Sequence, residues 1–248
     1  MKSNLLIFAK TDIGKAREMN QDCLYIPKSE EDLNLYIVAD GMGGYKGGEI
    51  ASNLAIASSR NYIENNFADI KKDRESIIKL IQDAIIYANM VVCEKAKEEP
   101  ELENMGTTLE ICLIYGNKMY IGHVGDSRIY RIRKNIIRKL TRDHSYVEKL
   151  INDGTITREE AQNHPKKNML LKAVGISAFI EPDVTVKGFL KDDIILIATD
   201  GLTNMVPDEQ IYKIIQENIN KDIAKKLVEE ANNQGGYDNI TAVVIYNN

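Results

Sequence analysis

The sequence has no tryptophan, and it lacks several features that mark particular classes of protein. Its three cysteines are odd in number, far apart and never arranged as Cys-x-x-Cys, which argues against disulfides and against a zinc site. No apolar run approaches the ~20 residues that a membrane-spanning helix needs. The mild net charge of −5 offers no basic patch for nucleic acid. We therefore expect a protein that binds neither nucleic acid nor membranes.

Length and composition are ordinary for a globular enzyme. The 248 residues, 44% of them hydrophobic, can bury a full core, so we expect one domain spanning residues 1–248. Residues 1–10 contain a short apolar patch without the layout of a secretory signal. Together with free thiols, this predicts a cytoplasmic location.

An apolar run that ends at an acid is the most informative local pattern. Residues 33–39 favour a buried strand, and Asp40-Gly41-Met42-Gly43-Gly44 follows. A carboxylate at the end of a rigid strand, beside glycine backbone that a ligand can approach, suits a hard metal cation. A tight turn with a solvated aspartate explains this stretch equally well.

Three further aspartates occur beside glycines at the ends of apolar runs. Asp200 follows the run 194–199, Asp126 lies between two such runs, and Asp238 precedes the run 240–246. Close carboxylates repel one another, so a shared site would require divalent cations, and all-oxygen ligands favour Mn²⁺ or Mg²⁺. For Asp126 alone, an ordinary turn aspartate is the alternative.

The order of predicted elements is strands, two helices, strands, two helices and a last strand. Because hairpins join many of the roughly ten strands, we expect a largely antiparallel system of two packed sheets with helices grouped outside. Residues 143–175 are polar, with two short helical pieces at most. Such a segment is typical of a lid or binding loop, and a variable surface excursion is the alternative.

Six short motifs occur in one order and together cover nearly the whole chain. They are Arg17-x-x-Asn20-Gln21-Asp22, Asp40-Gly41-Met42-Gly43-Gly44, Gly106-Thr107-Thr108, Gly125-Asp126-Ser127-Arg128, Thr199-Asp200-Gly201 and Gly235-Gly236-x-Asp238-Asn239-Ile240-Thr241. In this order they resemble a known family, the metal-dependent protein phosphatases, or type 2C serine/threonine phosphatases, in their compact bacterial form.

The resemblance implies an α+β fold, a four-layer α-β-β-α sandwich in which two mostly antiparallel sheets pack centrally between helix pairs. It also implies a single catalytic domain with a flap at about 143–175. Two core metal ions and a possible third, Mn²⁺ or Mg²⁺, would bind at one end. Asp40 would bridge the two core ions, the Gly41 carbonyl would bind one, and Asp200 and Asp238 the other. Asp126, with Asp200, would hold the third.

Two residues near these ligands have roles implied by the resemblance, and two positions depart from it. Asp22 would hold metal-bound water, and Arg17 would bind the phosphate as a planar fork. Met42 stands where many eukaryotic members have a histidine that is thought to protonate the leaving group, so the general acid is unassigned. Lys172 stands where arginine is frequent, which keeps the charge and loses the fork.

The implied function is hydrolysis of phosphoserine and phosphothreonine in proteins by a metal-bridging hydroxide. The resemblance further implies a cytoplasmic signalling enzyme, expected to be a monomer, that opposes a bacterial serine/threonine kinase. Two alternatives use the same acids. One is a pseudophosphatase that binds phosphoproteins without turnover, and the other is a metal-dependent phosphodiesterase.

Overall fold

Two antiparallel sheets organise the part of the chain that the computed structural model describes, residues 5–29, 31–44, 46–219 and 221–248. Residues 1–4 of the amino-terminal stretch considered above lie outside the described residues. The strands are β1 (Leu5–Asp12), β2 (Asp22–Tyr25), β3 (Leu35–Met42), β4 (Gly106–Thr107), β5 (Leu109–Tyr115), β6 (Lys118–Val124), β7 (Arg128–Arg133), β8 (Ile136–Lys139), β9 (Asp183–Gly188), β10 (Ile194–Ala198) and β11 (Ile240–Asn247). The helices are α1 (Gly47–Phe67), α2 (Arg74–Glu98), α3 (Tyr146–Asn152), α4 (Arg158–Gln162), α5 (Asp200–Thr203), α6 (Asp208–Glu217) and α7 (Ile223–Asn233).

The two sheets pack face to face between two helix layers. Sheet 1 has the strand order β1-β11-β10-β7-β8, and sheet 2 has the order β2-β3-β5-β6-β9 with β4 paired to β3. The inner faces of both sheets share one apolar cluster, α1 and α2 bury theirs against sheet 2, and α6 and α7 against sheet 1. The predicted α+β four-layer sandwich is therefore confirmed.

Helix α2 is placed by a cap and an apolar face. The Asp73 side chain accepts a hydrogen bond from the Ser76 amide at 2.8 Å, which satisfies one free donor of the first turn. The face carrying Ile77, Ile81 and Ile85 is fully buried. This periodic burial fixes which side of the helix meets sheet 2.

Among the described helices, α2 alone has the length and apolar composition to cross a membrane, with an 18-residue window of mean hydropathy 1.5. This qualifies the expectation that no run of this kind exists. Half of that window is buried inside the protein, and the helix packs on α1 and β6. Its apolar character is accounted for by its place in the core.

Strand β3 differs from its prediction at its carboxyl end. It does not stop before Asp40 but continues to Met42, because Gly41 and Met42 pair with Thr107 and Gly106 of β4. A Cβ on Gly41 would lie 2.0 Å from the Gly48 carbonyl oxygen. Glycine is therefore required here, where the first turn of α1 approaches the strand.

The 143–175 segment contains two short helices, α3 and α4, as the sequence predicts. Thr157 and Glu160 form a capping box at the start of α4. Elsewhere, α5 was not predicted, and Pro207 occupies the N-cap position of α6.

The contact between α2 and β6 gives a test of this packing. A Cβ on Gly122 would lie 2.5 Å from Cγ2 of Ile81 and 2.8 Å from Cδ1 of Ile85. Gly122→Ala should therefore lower the free energy of unfolding by about 1–3 kcal/mol, the usual cost of overpacking. Gly188→Ala in β9, where a Cβ meets open space, is the matched control in urea denaturation. Equal stability of the two variants would contradict the packing described.

Candidate active site

The predicted acids meet in one cavity of about 320 Å³ at one end of the sandwich. Of the seven predicted site residues, six line this cavity, and Asp22 does not. The lining residues are Arg17, Gln21, Asp40, Gly41, Met42, Gly43, Gly44, Thr108, Asp126, Asn168, Leu170, Asp200 and Asp238. Separate strands, turns and helices thus deliver four carboxylates to one place.

Asp40 is held by main-chain and hydroxyl contacts. Its amide donates to Thr108 Oγ1 at 2.9 Å, and its carbonyl accepts from the Thr108 amide at 2.9 Å and from Thr107 Oγ1 at 2.9 Å. The neighbouring Gly41 amide donates to the Gln21 carbonyl at 3.1 Å. The backbone that presents Asp40 and Gly41 is therefore fixed on both sides.

Arg17 reaches the cavity through an ion pair with one of the acids. Its Nη2 donates to Asp238 Oδ2 at 2.8 Å, and about half of the Arg17 side chain is exposed. The other Asp238 oxygen accepts from the Asn239 amide at 2.8 Å. Arg17 therefore lines the cavity, contacts one of its acids and remains partly exposed to solvent.

Asp22 lies beneath the cavity, where it is buried. Its Oδ2 accepts hydrogen bonds from Thr199 Oγ1 at 2.9 Å and Thr241 Oγ1 at 2.7 Å. Its Oδ1 is buried, and no described residue donates a hydrogen bond to it. A buried carboxylate oxygen normally accepts a hydrogen bond. A bound water could donate that hydrogen bond to Oδ1.

Burial and mutual repulsion make these acids costly to ionise. Burial, with neighbouring acids, raises the pKa of Asp22 to about 7 and that of Asp126 to about 8. Burial and the Asp238 charge raise the pKa of Asp200 to about 6. Burial and the neighbouring acids raise the pKa of Asp40 well above its usual value. Strongly perturbed carboxyls that share a cavity are typical of functional sites.

The residues present fit a site for hard divalent cations. The donors are carboxylate and carbonyl oxygens, and the carboxylates gain by neutralisation. Within the described ranges, no three acidic, histidine or cysteine side chains already form a group that could hold an ion. Ions of the Mg²⁺ type keep several waters, so carbonyl and water ligands would complete the shell.

The sequence did not assign a role to Asn168 and Leu170, which also line the cavity. Their place depends on the backbone of the 143–175 segment, where the Tyr146 amide donates to the Met169 carbonyl at 2.8 Å. Lys172 does not line the cavity. Its Nζ donates to the Glu181 carbonyl at 3.1 Å and lies 3.8 Å from Asp183. Met42 does line the cavity, and its thioether carries no proton to donate.

Comparison with known proteins agrees with the site and the fold. The sequence model of the family described as protein phosphatase 2C matches residues 14–233. The serine/threonine phosphatase stp of Listeria innocua is 35% identical over 240 residues, 96% of this chain and 94% of that protein. The solved serine/threonine phosphatase of S. agalactiae is 34% identical, with a TM-score of 0.89 over 98% of this chain and 100% of that one.

A further solved structure holds the metal that the donor set favours. The catalytic domain of serine threonine protein phosphatase PstP, in complex with two manganese ions, is 33% identical, with a TM-score of 0.85 over 98% of this chain and 97% of that one. The fold and the site define a metal-dependent phosphatase class. The chain belongs to the protein phosphatase 2C family.

The charge of Asp126 should destabilise the metal-free protein. Folding raises the pKa of this carboxyl to about 8, through burial and the Asp200 charge. An acid whose pKa is raised on folding lowers the free energy of unfolding once the pH exceeds its pKa in the unfolded chain. For Asp126 this loss of stability is complete above pH 8. Asp126→Asn should therefore raise the Tm in EDTA at pH 8, by about 2–4 °C per 1 kcal/mol gained. The difference should vanish below about pH 4.

Asp143→Asn is the control with the opposite sign. Although burial opposes ionisation, Arg128 and Lys139 lower the pKa of Asp143, and Arg128 Nη2 donates to it at 2.7 Å. This variant should lose stability at pH 8. Differential scanning calorimetry checks both, and a metal-free Asp126→Asn protein no more stable than the wild type would contradict the electrostatic account.

Proposed function

We propose that this chain is a protein serine/threonine phosphatase that uses Mn²⁺ or Mg²⁺ to hydrolyse phosphoserine and phosphothreonine. The observation that carries the proposal is the cavity in which Asp40, Asp126, Asp200 and Asp238 meet beside Arg17. The proposed reaction is of the class that the names of the phosphatase relatives describe. The PstP complex with two manganese ions supports the choice of metal.

Each acid has a proposed task in holding two core ions and a third. Asp40 would be shared by the core pair, the Gly41 carbonyl would hold one ion, and Asp200 with Asp238 would hold the other. Asp126, with Asp200, would hold the third. Bound ions of this kind polarise phosphoryl oxygens and lower the pKa of water. Removal of the carboxylates' mutual repulsion favours binding.

The remaining residues orient the reactants. The Arg17 guanidinium holds two phosphoryl oxygens in a planar fork, which requires it to exchange its contact with Asp238 for the substrate. Asp22 would support a water at the metal site, because its buried Oδ1 accepts no hydrogen bond from the described residues. Met42 cannot donate a proton, so the leaving oxygen takes its proton from another source.

A second cavity favours a protein as the substrate. It measures about 690 Å³ and shares Arg17, Asp126, Asp200 and Asp238 with the first. Its walls come from the 143–175 segment on one side and from α5 and α6 on the other. A groove continuous with the acids gives room for the polypeptide on either side of a phosphorylated residue, and segment 143–175 would act as its flap.

The setting of the enzyme is also part of the proposal. The whole chain, residues 1–248, forms one catalytic domain that works as a monomer in the cytoplasm, where it reverses the marks of a serine/threonine kinase. The three free thiols, Cys23, Cys93 and Cys112, support a reducing compartment. A kinase partner follows from the substrate, since phosphoserine and phosphothreonine must first be made.

Phosphate release from phosphothreonine and phosphoserine peptides tests the reaction. Release should require Mn²⁺ and stop in EDTA. Asp200→Asn should reduce kcat by at least roughly 10–100-fold, because loss of a residue that merely supports a metal ligand already costs that much. Asp83→Asn, on the surface of α2 where Asp83 pairs with Lys79, should leave kcat unchanged. Manganese binding without release would indicate a phosphoprotein-binding pseudophosphatase, and release from phosphodiesters alone a phosphodiesterase.

Loss of Asp126 should separate the third ion from the core pair. Asp126→Ala leaves Asp40, Gly41 and Asp238 in place, so calorimetric titration should still register two tightly bound Mn²⁺ ions. Turnover of the phosphothreonine peptide should nevertheless fall, because the third position loses its own carboxylate. Full turnover in this variant would count against a catalytic third ion.

A further inference from the structure

His144, at the start of the 143–175 segment, contacts both main-chain polar groups of Gly125. The His144 amide donates to the Gly125 carbonyl at 2.7 Å, and the Gly125 amide donates to His144 Nδ1 at 3.2 Å. Gly125 immediately precedes Asp126. One residue therefore fixes the backbone turn from which this cavity acid projects.

The same residue also holds the returning end of the segment. The His144 carbonyl accepts from the Leu171 amide at 2.7 Å, and Ser145 forms a β-bridge with Leu170. Asn168 and Leu170, from this returning stretch, line the acid cavity. His144 thus lies between two pieces of chain that both reach the cavity.

The ring of His144 is kept in place by a second histidine. It stacks on His123, with ring centroids 4.5 Å apart and an interplanar angle of 28°. His123 Nδ1 lies 2.6 Å from Glu110 Oε1, and its Nε2 lies 2.7 Å from the Arg142 carbonyl. When Glu110 is ionised, both nitrogens of His123 face acceptors, an arrangement that only the imidazolium satisfies fully.

The tautomer of His144 follows from its neighbours. Burial, with the charge of His123, lowers the pKa of His144 to about 4, so the ring is neutral at neutral pH. A neutral ring that accepts at Nδ1 carries its proton on Nε2. That atom lies 3.3 Å from Asp183 Oδ2 without the alignment of a hydrogen bond. The contact with Gly125 is thus the directional one.

We propose that His144 is a positioning residue, which sets the Gly125–Asp126 turn against the Asn168–Leu171 stretch and so presents Asp126 at the cavity under the flap. The kinetic part of this inference rests on the proposed phosphatase function. The structural part concerns the metal-free protein alone.

Two amide substitutions separate the roles of the two ring nitrogens. In His144→Asn an amide oxygen can take the place of Nδ1, whereas in His144→Gln the polar atoms lie one bond further out, near Nε2. Both variants put a neutral amide into the same buried site. His164→Gln is the matched control. His164 Nδ1 also accepts a hydrogen bond from a main-chain amide, that of Lys166 at 3.1 Å, but this contact lies within the 143–175 segment itself.

Hydrogen exchange of the Gly125 amide in EDTA is the first readout. His144→Gln should exchange there about 2–10-fold faster, the range expected for loss of one hydrogen bond. His144→Asn and His164→Gln should stay within twofold of the wild type. Equal protection in all four proteins would overturn the proposal.

Kinetics on a phosphothreonine peptide at saturating Mn²⁺ give the second readout. His144→Gln should lose about 2–10-fold in kcat with KM unchanged, and His144→Asn should restore it. Asn and Gln variants of equal kcat would reduce the role of His144 to packing. If the wild type releases no phosphate, the proposed function fails, while the exchange experiment still decides whether His144 holds the turn.

Discussion

The repulsion among four partly desolvated carboxylates is the constraint on which the structure depends. Asp40, Asp126, Asp200 and Asp238 share one small cavity, and burial with neighbouring charge moves the pKa of three of them upward. Such an arrangement persists only on a stiff frame, since a flexible one would let the charges separate. Two sheets with fully buried strands on their shared face supply that frame.

Hydroxyl and amide groups, not charged side chains, hold Asp40 and Asp22 in this frame. Thr107 and Thr108 bind the Asp40 backbone, while Thr199 and Thr241 bind Asp22 from the opposite sheet. A hydroxyl satisfies a buried polar group without adding a countercharge that would compete with a cation. Arg17 is a cation that lines the cavity, and its half-exposed position leaves it free to change partners.

The sequence predicted what was encoded locally and missed what depends on distant pairing. The motifs around Asp40, Asp200 and Asp238 each contain an apolar run, an acid and a glycine within a few residues, so their convergence was foreseeable. The extension of β3 to Met42 was not, because its partner β4 lies more than sixty residues away. The contact of His123 with Glu110 depends on cross-strand register, and Asn168 on how a polar segment folds back.

The pairing of the first strand with the last has a consequence for biosynthesis. Among the described strands, β1 lies at the edge of its sheet and pairs with β11, and Leu5 faces Asn247 across that ladder. During translation, β1 therefore leaves the ribosome long before its partner exists. Because Asp238 and the strand after it are also made late, the cavity cannot close on a nascent chain. A ribosome-bound intermediate would carry an unpaired edge but no assembled catalytic centre, so the activity begins only when synthesis has passed β11.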